Sequence, residues 1–239
     1  MIIYSNGCSH TADIDYSDEL VYIDVVAKEL FKSKEYNIVH LEKGFYLNDT
    51  FHNVSNGKNF DFSKIEDTNY LFKHANSGKS NELIFFESYN VIKDILYNNI
   101  KLDYVVIQFS SPNRTIHTEP TGKLLEVTPF DNSEKGLKFE PFASEQTLQY
   151  MVLLQDLLKQ NNITYCFIPY MELDEAVLDA TDKLKYLDES KFTASLKEGH
   201  RNYFIDNKLV IDSAGHPNTI GYNRLAKMTL EILRKTVLI

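Results

Sequence analysis

The sequence predicts an α/β fold: a three-layer α/β/α sandwich with a central, mostly parallel sheet. Short runs of β-branched and aromatic residues, such as residues 104–109, alternate with stretches of helical periodicity. The intervening stretches are long enough to carry crossover helices, which favours βαβ units over hairpins. No internal repeat, low-complexity tract or linker divides the 239 residues, so one domain over 1–239 is expected, with long insertions near 41–68 and 111–143.

Taken in order, residues 2–5 form a short apolar opening strand that ends in the turn pair Asn6-Gly7. Leu20, Ile23, Val26, Ala27 and Leu30 recur at helical spacing, with Ser17 or Asp18 placed to cap that helix. Residues 41–68, rich in Asn, Gly, Lys and Asp, read as the first excursion. A strand at 70–73 then leads through a polar turn into a helix over 81–98, whose inner face carries Leu83, Phe86, Val91, Ile92 and Ile95. Residues 104–109 suit a buried parallel strand, because a compact β-branched run bounded by polar residues can be apolar on both faces. The proline-containing stretch 111–143 is the second excursion. An amphipathic helix occupies 144–160, then a strand over 163–168 closed by Pro169. Residues 172–200 are charged and mostly helical in character, 208–211 offer a last short strand, and the final helix starts near Asn218.

The formal charge of −9 disfavours broad binding to a phosphate backbone, so nucleic acid is not an expected partner. Cys8 and Cys166 make no disulfide framework, and the histidines show no i,i+4 pairing, so neither metal nor other cofactor is expected. The N-terminal segment lacks a basic start and a long apolar run, and no stretch reaches the roughly 18 apolar residues of a membrane span. A cytoplasmic protein that does not enter the membrane is the expectation. The sequence leaves its oligomeric state open.

Two segments carry candidate chemistry. Gly7-Cys8-Ser9-His10-Thr11 lies just after the first strand, where an open parallel sheet places its ligands. Taken alone it is an ordinary polar turn. Asp212-Ser213-Ala214-Gly215-His216-Pro217-Asn218 precedes the last helix. Pro217 biases His216 away from helical backbone and Asn218 can cap the final helix, so the imidazole projects from a fixed loop with Asp212 close by. Taken alone it is a capping loop with an exposed histidine.

Together and in this order, the two segments resemble the first and last signature blocks of the SGNH (GDSL-like) hydrolase superfamily. The resemblance implies a flavodoxin-like SGNH fold, Ser9 as nucleophile, His216 as base and Asp212 as its orienting acid. His74-Ala75-Asn76-Ser77-Gly78-Lys79-Ser80 is similar to the second block, which makes Gly78 a backbone donor to the oxyanion. The third block falls on Ser110-Ser111-Pro112-Asn113-Arg114. There Asn113 is the counterpart of the oxyanion asparagine, Ser110 or Ser111 can share that role, and Arg114 can hold an anionic substrate or a structural ion pair. The chain departs from the family pattern in four details. Cys8 precedes the serine where Asp is usual, Asp212 and His216 stand four apart rather than three, Ser110 replaces a glycine, and Asn113 falls one position late. Asp206 is the alternative carboxylate. The implied activity is serine-dependent hydrolysis of an ester, acyl or O-acetyl, with a small molecule or glycan as substrate. A binding protein that keeps the fold without turnover, and an acyltransferase using the same serine, stay open. A Cys8 nucleophile and a phosphate loop at 76–80 are both disfavoured, the latter because its first glycine is missing.

Overall fold

The computed structural model describes residues 1–7, 21–32, 34–41, 44–47, 50–53, 61–65, 68–75, 79–118, 124–127, 140–212 and 215–236. Its strands are β1 (Ile2–Asn6), β2 (Asn37–His40), β3 (Gly44–Leu47), β4 (Thr50–Asn53), β5 (Tyr70–Lys73), β6 (Tyr104–Phe109), β7 (Thr115–Thr118), β8 (Leu124–Val127) and β9 (Thr164–Pro169). Its α-helices are α1 (Tyr22–Leu30), α2 (Asn81–Tyr97), α3 (Glu140–Gln160), α4 (Glu175–Ala180), α5 (Arg201–Asp206) and α6 (Thr219–Thr236). A five-stranded, all-parallel sheet runs in the order β2-β5-β1-β6-β9. The pairs β3–β4 and β7–β8 are separate antiparallel hairpins, one within each of the two expected insertions.

Strand pleating sorts the core into two halves. Tyr4, Phe72, Val105, Ile107 and Phe167 face α2 and α3, where they meet Ile84, Ile92, Leu148, Met151 and Leu154. Ile3, Leu71, Val106, Cys166 and Ile168 face α1 and α6, against Ile23, Val26, Leu225 and Leu233. The sheet is therefore buried on both faces, as its unbroken β-branched runs foretell. A buried ion pair adds a polar tie across the second layer. The Lys73 ammonium at the end of β5 lies 3.1 Å from both carboxylate oxygens of Asp24 on α1.

Several elements differ from the sequence-based expectation. β2 was not expected: it is a largely exposed edge strand of four residues, with Ile38 and Val39 between polar Asn37 and His40. α1 has Val21 at its N-cap with no side-chain cap, and the expected caps Ser17 and Asp18 lie outside the described residues. α3 begins at Glu140, ahead of the polar start expected at 144. The last expected strand reduces to a single bridge between Val210 and Pro217. Residues 172–200 contain α4 and two short 3-10 turns, less helix than their composition suggests.

Residues 171–199 leave and rejoin the sheet at one point. The backbone N–H groups of His200 and Arg201 both donate to the carbonyl of Tyr170, at 3.0 and 2.9 Å. Gly199 closes this return at φ +58°, where a Cβ would sit 2.8 Å from the backbone of Met171 and Glu172. His200 is buried, with Nε2 2.7 Å from Thr193 Oγ1 and its ring stacked on Phe204. Burial pushes its pKa down to about 4. A histidine of ordinary pKa near 6.5 in the unfolded chain binds a proton before the native one does, so stability is lost as pH falls from about 6.5 to 4. The shift corresponds to about 3 kcal/mol. Urea denaturation across that range should show the loss in the wild type and a flatter profile in His200→Gln. Parallel profiles would contradict the assignment.

Candidate active site

The first three segments singled out from the sequence follow β1, β5 and β6 in the chain, and the last is bonded to Tyr170, the residue after β9. Chain direction across the sheet changes around β1, which has β5 on one side and β6 on the other. In open parallel sheets the crevice outside such a switch point receives the ligand.

The first strand ends in a side-chain clamp. Asn6 Oδ1 accepts the backbone N–H of Gly7 at 2.7 Å and the Lys79 ammonium at 3.0 Å. Asn6 Nδ2 lies within reach of Ser88 Oγ at 3.0 Å, the Ile84 carbonyl at 3.2 Å and Glu87 Oε2 at 3.3 Å. Turning the amide over would set its NH2 against two donors, so the network fixes the orientation. Lys79 also donates to the His74 carbonyl and pairs with Glu87. Both charged side chains are fully buried. Glu87 Oε1 stands 3.5 Å from His74 Nε2, and His74 Nδ1 is 3.2 Å from the Tyr4 hydroxyl. Burial, reinforced by the Glu87 charge, holds the Tyr4 hydroxyl protonated far above its ordinary range. Cys8, Ser9 and Gly78 lie outside the described residues; Gly7, which precedes Cys8, and Lys79, which follows Gly78, belong to this network.

The third loop is joined to the second. Asn81, the first residue of α2, accepts the Ser110 backbone N–H at 2.6 Å and donates to the Ser110 carbonyl and to Thr147 Oγ1, both at 3.1 Å. Ser110 thus has its backbone N–H committed to Asn81. Asn113 is partly buried, and its side-chain oxygen has no hydrogen-bond partner among the described residues. Arg114 reaches back from the end of β6, its Nη1 3.4 Å from the Lys79 carbonyl. Ser80 caps α2 by accepting the Leu83 N–H at 3.1 Å, so the positive end of that helix lies at the end of the second segment.

The last loop brings Asp212 and His216 together. The ring Nδ1 lies 2.5 Å from Asp212 Oδ2, and the backbone N–H of His216 donates to Oδ1 at 3.0 Å. Gly215, at φ +91°, makes the turn that permits this double contact. The wider loop is tied down by Ile211 N–H to the His216 carbonyl at 2.8 Å and Asn218 N–H to the Leu209 carbonyl at 2.8 Å. Asn218 Oδ1 then accepts the Gly221 N–H at 3.0 Å and caps α6. Tyr170, immediately beyond β9, donates its hydroxyl proton to the Gly215 carbonyl. This bond anchors the histidine loop to the carboxyl end of the sheet, two strands from β1. At a strand spacing of about 4.8 Å the β1 and β9 ends stand about 10 Å apart. Asp206, the alternative carboxylate, closes α5 and lines a separate cavity of about 580 Å³ with His200, Tyr203 and Arg224.

Sequence reasoning missed Asn6, Lys79, Asn81 and Glu87. Lys79 and Asn81 sat within view, in a segment weighed as a phosphate loop and as a helix start. Cys166 sits buried in β9 with its thiol pushed up by burial, an inert position. Among the described residues no group of three or more His, Cys, Asp or Glu side chains could hold a metal, and no helix is long and apolar enough to cross a membrane.

The sheet order and the two helical layers make a three-layer α/β/α fold of the kind seen in SGNH (GDSL-like) hydrolases. A solved acetyl xylan esterase shares that architecture at a TM-score of 0.50 and 15% identity, over 97% of this chain and 98% of the other. A member of the lipolytic G-D-S-L family from Veillonella parvula aligns at a TM-score of 0.49 and 13% identity, over 98% of each chain. The sequence matches no family model and no curated protein.

Partial burial raises the Asp212 carboxyl pKa, but hydrogen bonds from the His216 backbone and ring, the His216 charge and the Gly215 N–H outweigh it, leaving the group below its ordinary value. The pair therefore stabilises the loop above the usual aspartate pKa of about 3.9 and loses its contribution as pH falls through the lower native value. Carboxyl carbon NMR should find Asp212 titrating below about 3.9, and higher in His216→Ala. An Asp212 pKa that is the same in both proteins would contradict the pairing.

Proposed function

We propose that this chain is a serine ester hydrolase in which Ser9 attacks, His216 moves the proton and Asp212 orients His216. The observation that carries the proposal is the Asp212–His216 pair. A carboxylate 2.5 Å from Nδ1 holds the ring proton there and leaves the Nε2 lone pair to accept another. Through Tyr170 the pair is bonded to the carboxyl end of the sheet, the end at which Gly7 follows β1 two residues ahead of Ser9.

In this reading Nε2 takes the Ser9 hydroxyl proton while Oγ bonds to the ester carbonyl carbon. The carbonyl π electrons move to oxygen, and the resulting oxyanion is met by the N–H groups of Ser9 and Gly78. Each such donor supplies about 2.7–4 kcal/mol in comparable sites. The positive end of α2 adds to the same field. Collapse of the adduct expels the alcohol oxygen, which receives the proton from His216. Water then gives a proton to Nε2 and attacks the acyl-serine, releasing the acid and restoring Ser9. Asn113 and Arg114, which follow β6, are the substrate-binding candidates of this reading, together with Ser110.

The substrate class we assign is an O-acetyl or other small acyl ester, with a carbohydrate as the alcohol part. The shared fold of an acetyl xylan esterase supports this choice. The test is labelling with a fluorophosphonate, followed by mass spectrometry and assays on acetylated sugars and small acyl esters. Wild type should be modified on Ser9 and active. Ser9→Ala should be folded, unlabelled and inactive, and His216→Ala should lose about 10²–10⁴-fold in rate. A wild-type protein that stays unmodified and inactive would replace the hydrolase with a binding protein of the same fold.

A further inference from the structure

We propose that Lys79 is a positioning residue for this site: paired with Glu87 and clamped to Asn6, it sets the loop of Ser9 against the loop of Gly78. The inference rests on the reading of Ser9 as nucleophile and Gly78 as oxyanion donor.

An ammonium group has three protons, and Lys79 places them on three different segments. One goes to Asn6 Oδ1 at the end of β1, one to the His74 carbonyl just beyond β5, and one to Glu87 in the second turn of α2. The Asn6 oxygen that accepts the first also holds the Gly7 N–H, two residues ahead of Ser9. The backbone of Lys79 comes directly after Gly78, and its carbonyl accepts from Arg114 of the third loop. One buried residue thus touches all three strand-end loops on which the serine, the oxyanion glycine and Arg114 lie.

Fold stability alone does not account for such a pair. Removing two charges from water costs several kcal/mol each, and apolar replacements of similar volume are often neutral or stabilising. What an apolar pair lacks is direction. A methionine at 79 would fill the space but would leave the Gly7 turn and the His74 carbonyl free to shift. A displacement of about 1 Å at a reacting centre is enough to cost about 10²-fold in rate.

The experiment compares wild type with Lys79→Met/Glu87→Met and with Asn6→Ala. The double variant removes both charges, avoiding a lone buried carboxylate, and Asn6→Ala removes the clamp while keeping the ion pair. Folding is read by circular dichroism and Tm, and function by kcat, KM and the rate of fluorophosphonate labelling at Ser9. Both variants should fold, with kcat and labelling reduced about 100-fold and KM within about twofold of wild type. Wild-type rates in either folded variant would overturn the positioning role while leaving the hydrolase reading intact. Failure of both variants to fold would also overturn it, because the network would then serve the fold itself. An unlabelled wild type would instead remove the hydrolase reading and the positioning role with it.

Discussion

A fully buried ion pair, Lys79 with Glu87, ties together the chain where the central strands end. Charges in a protein interior are tolerable only when paired and hydrogen-bonded, and here the partners are drawn from β1, from the segment after β5 and from α2. Asn6 completes the set by accepting from the ammonium and from Gly7 together. Because every partner belongs to a different segment, satisfying the charge and fixing the loop spacing are the same event. A shift of any one loop would leave a buried donor or acceptor without its partner, which costs more than the bond itself contributes.

The Asp212–His216 loop is held by different means. Asp212 and His216 are four residues apart and meet through local geometry, a glycine at positive φ and a short backbone ladder. Their loop is joined to the sheet by the Tyr170 hydroxyl on the Gly215 carbonyl. Tyr170 is also the residue on which the 171–199 excursion closes, through the N–H groups of His200 and Arg201. The buried, neutral His200 is therefore bonded through its own backbone to the residue that holds the histidine loop. The Asn6–Lys79 side and the Asp212–His216 side rest on separate supports, one an interior charge cluster and one a chain crossing.

Much of the scaffold was legible in the sequence because burial leaves a pattern. The strands β5, β6 and β9 and the helix α2 were expected nearly at their observed limits, since each has a continuous apolar run or a helical stripe with polar boundaries. β2 escaped notice because its apolar run is only Ile38-Val39, too short to stand out between polar Asn37 and His40. The Asp212–His216 pair was legible because its partners are local in sequence. Lys79, Glu87 and Asn6 were not: lysine and glutamate ordinarily mark a surface, and Asn6 meets Lys79 across 73 positions. A segment that looked like an incomplete phosphate loop is instead a buried cation at a helix start.

The central claim is that these two supports bring Ser9 and His216 into contact across the strand ends. A crystal structure of the protein after reaction with a fluorophosphonate tests it most directly. The account predicts phosphorus bonded to Ser9 Oγ, a phosphoryl oxygen facing the Gly78 N–H, and His216 Nε2 within about 2.6–3.2 Å of an oxygen of the adduct. An adduct on another residue, or a His216 ring turned away from Ser9 with Asp212 still on Nδ1, would contradict it.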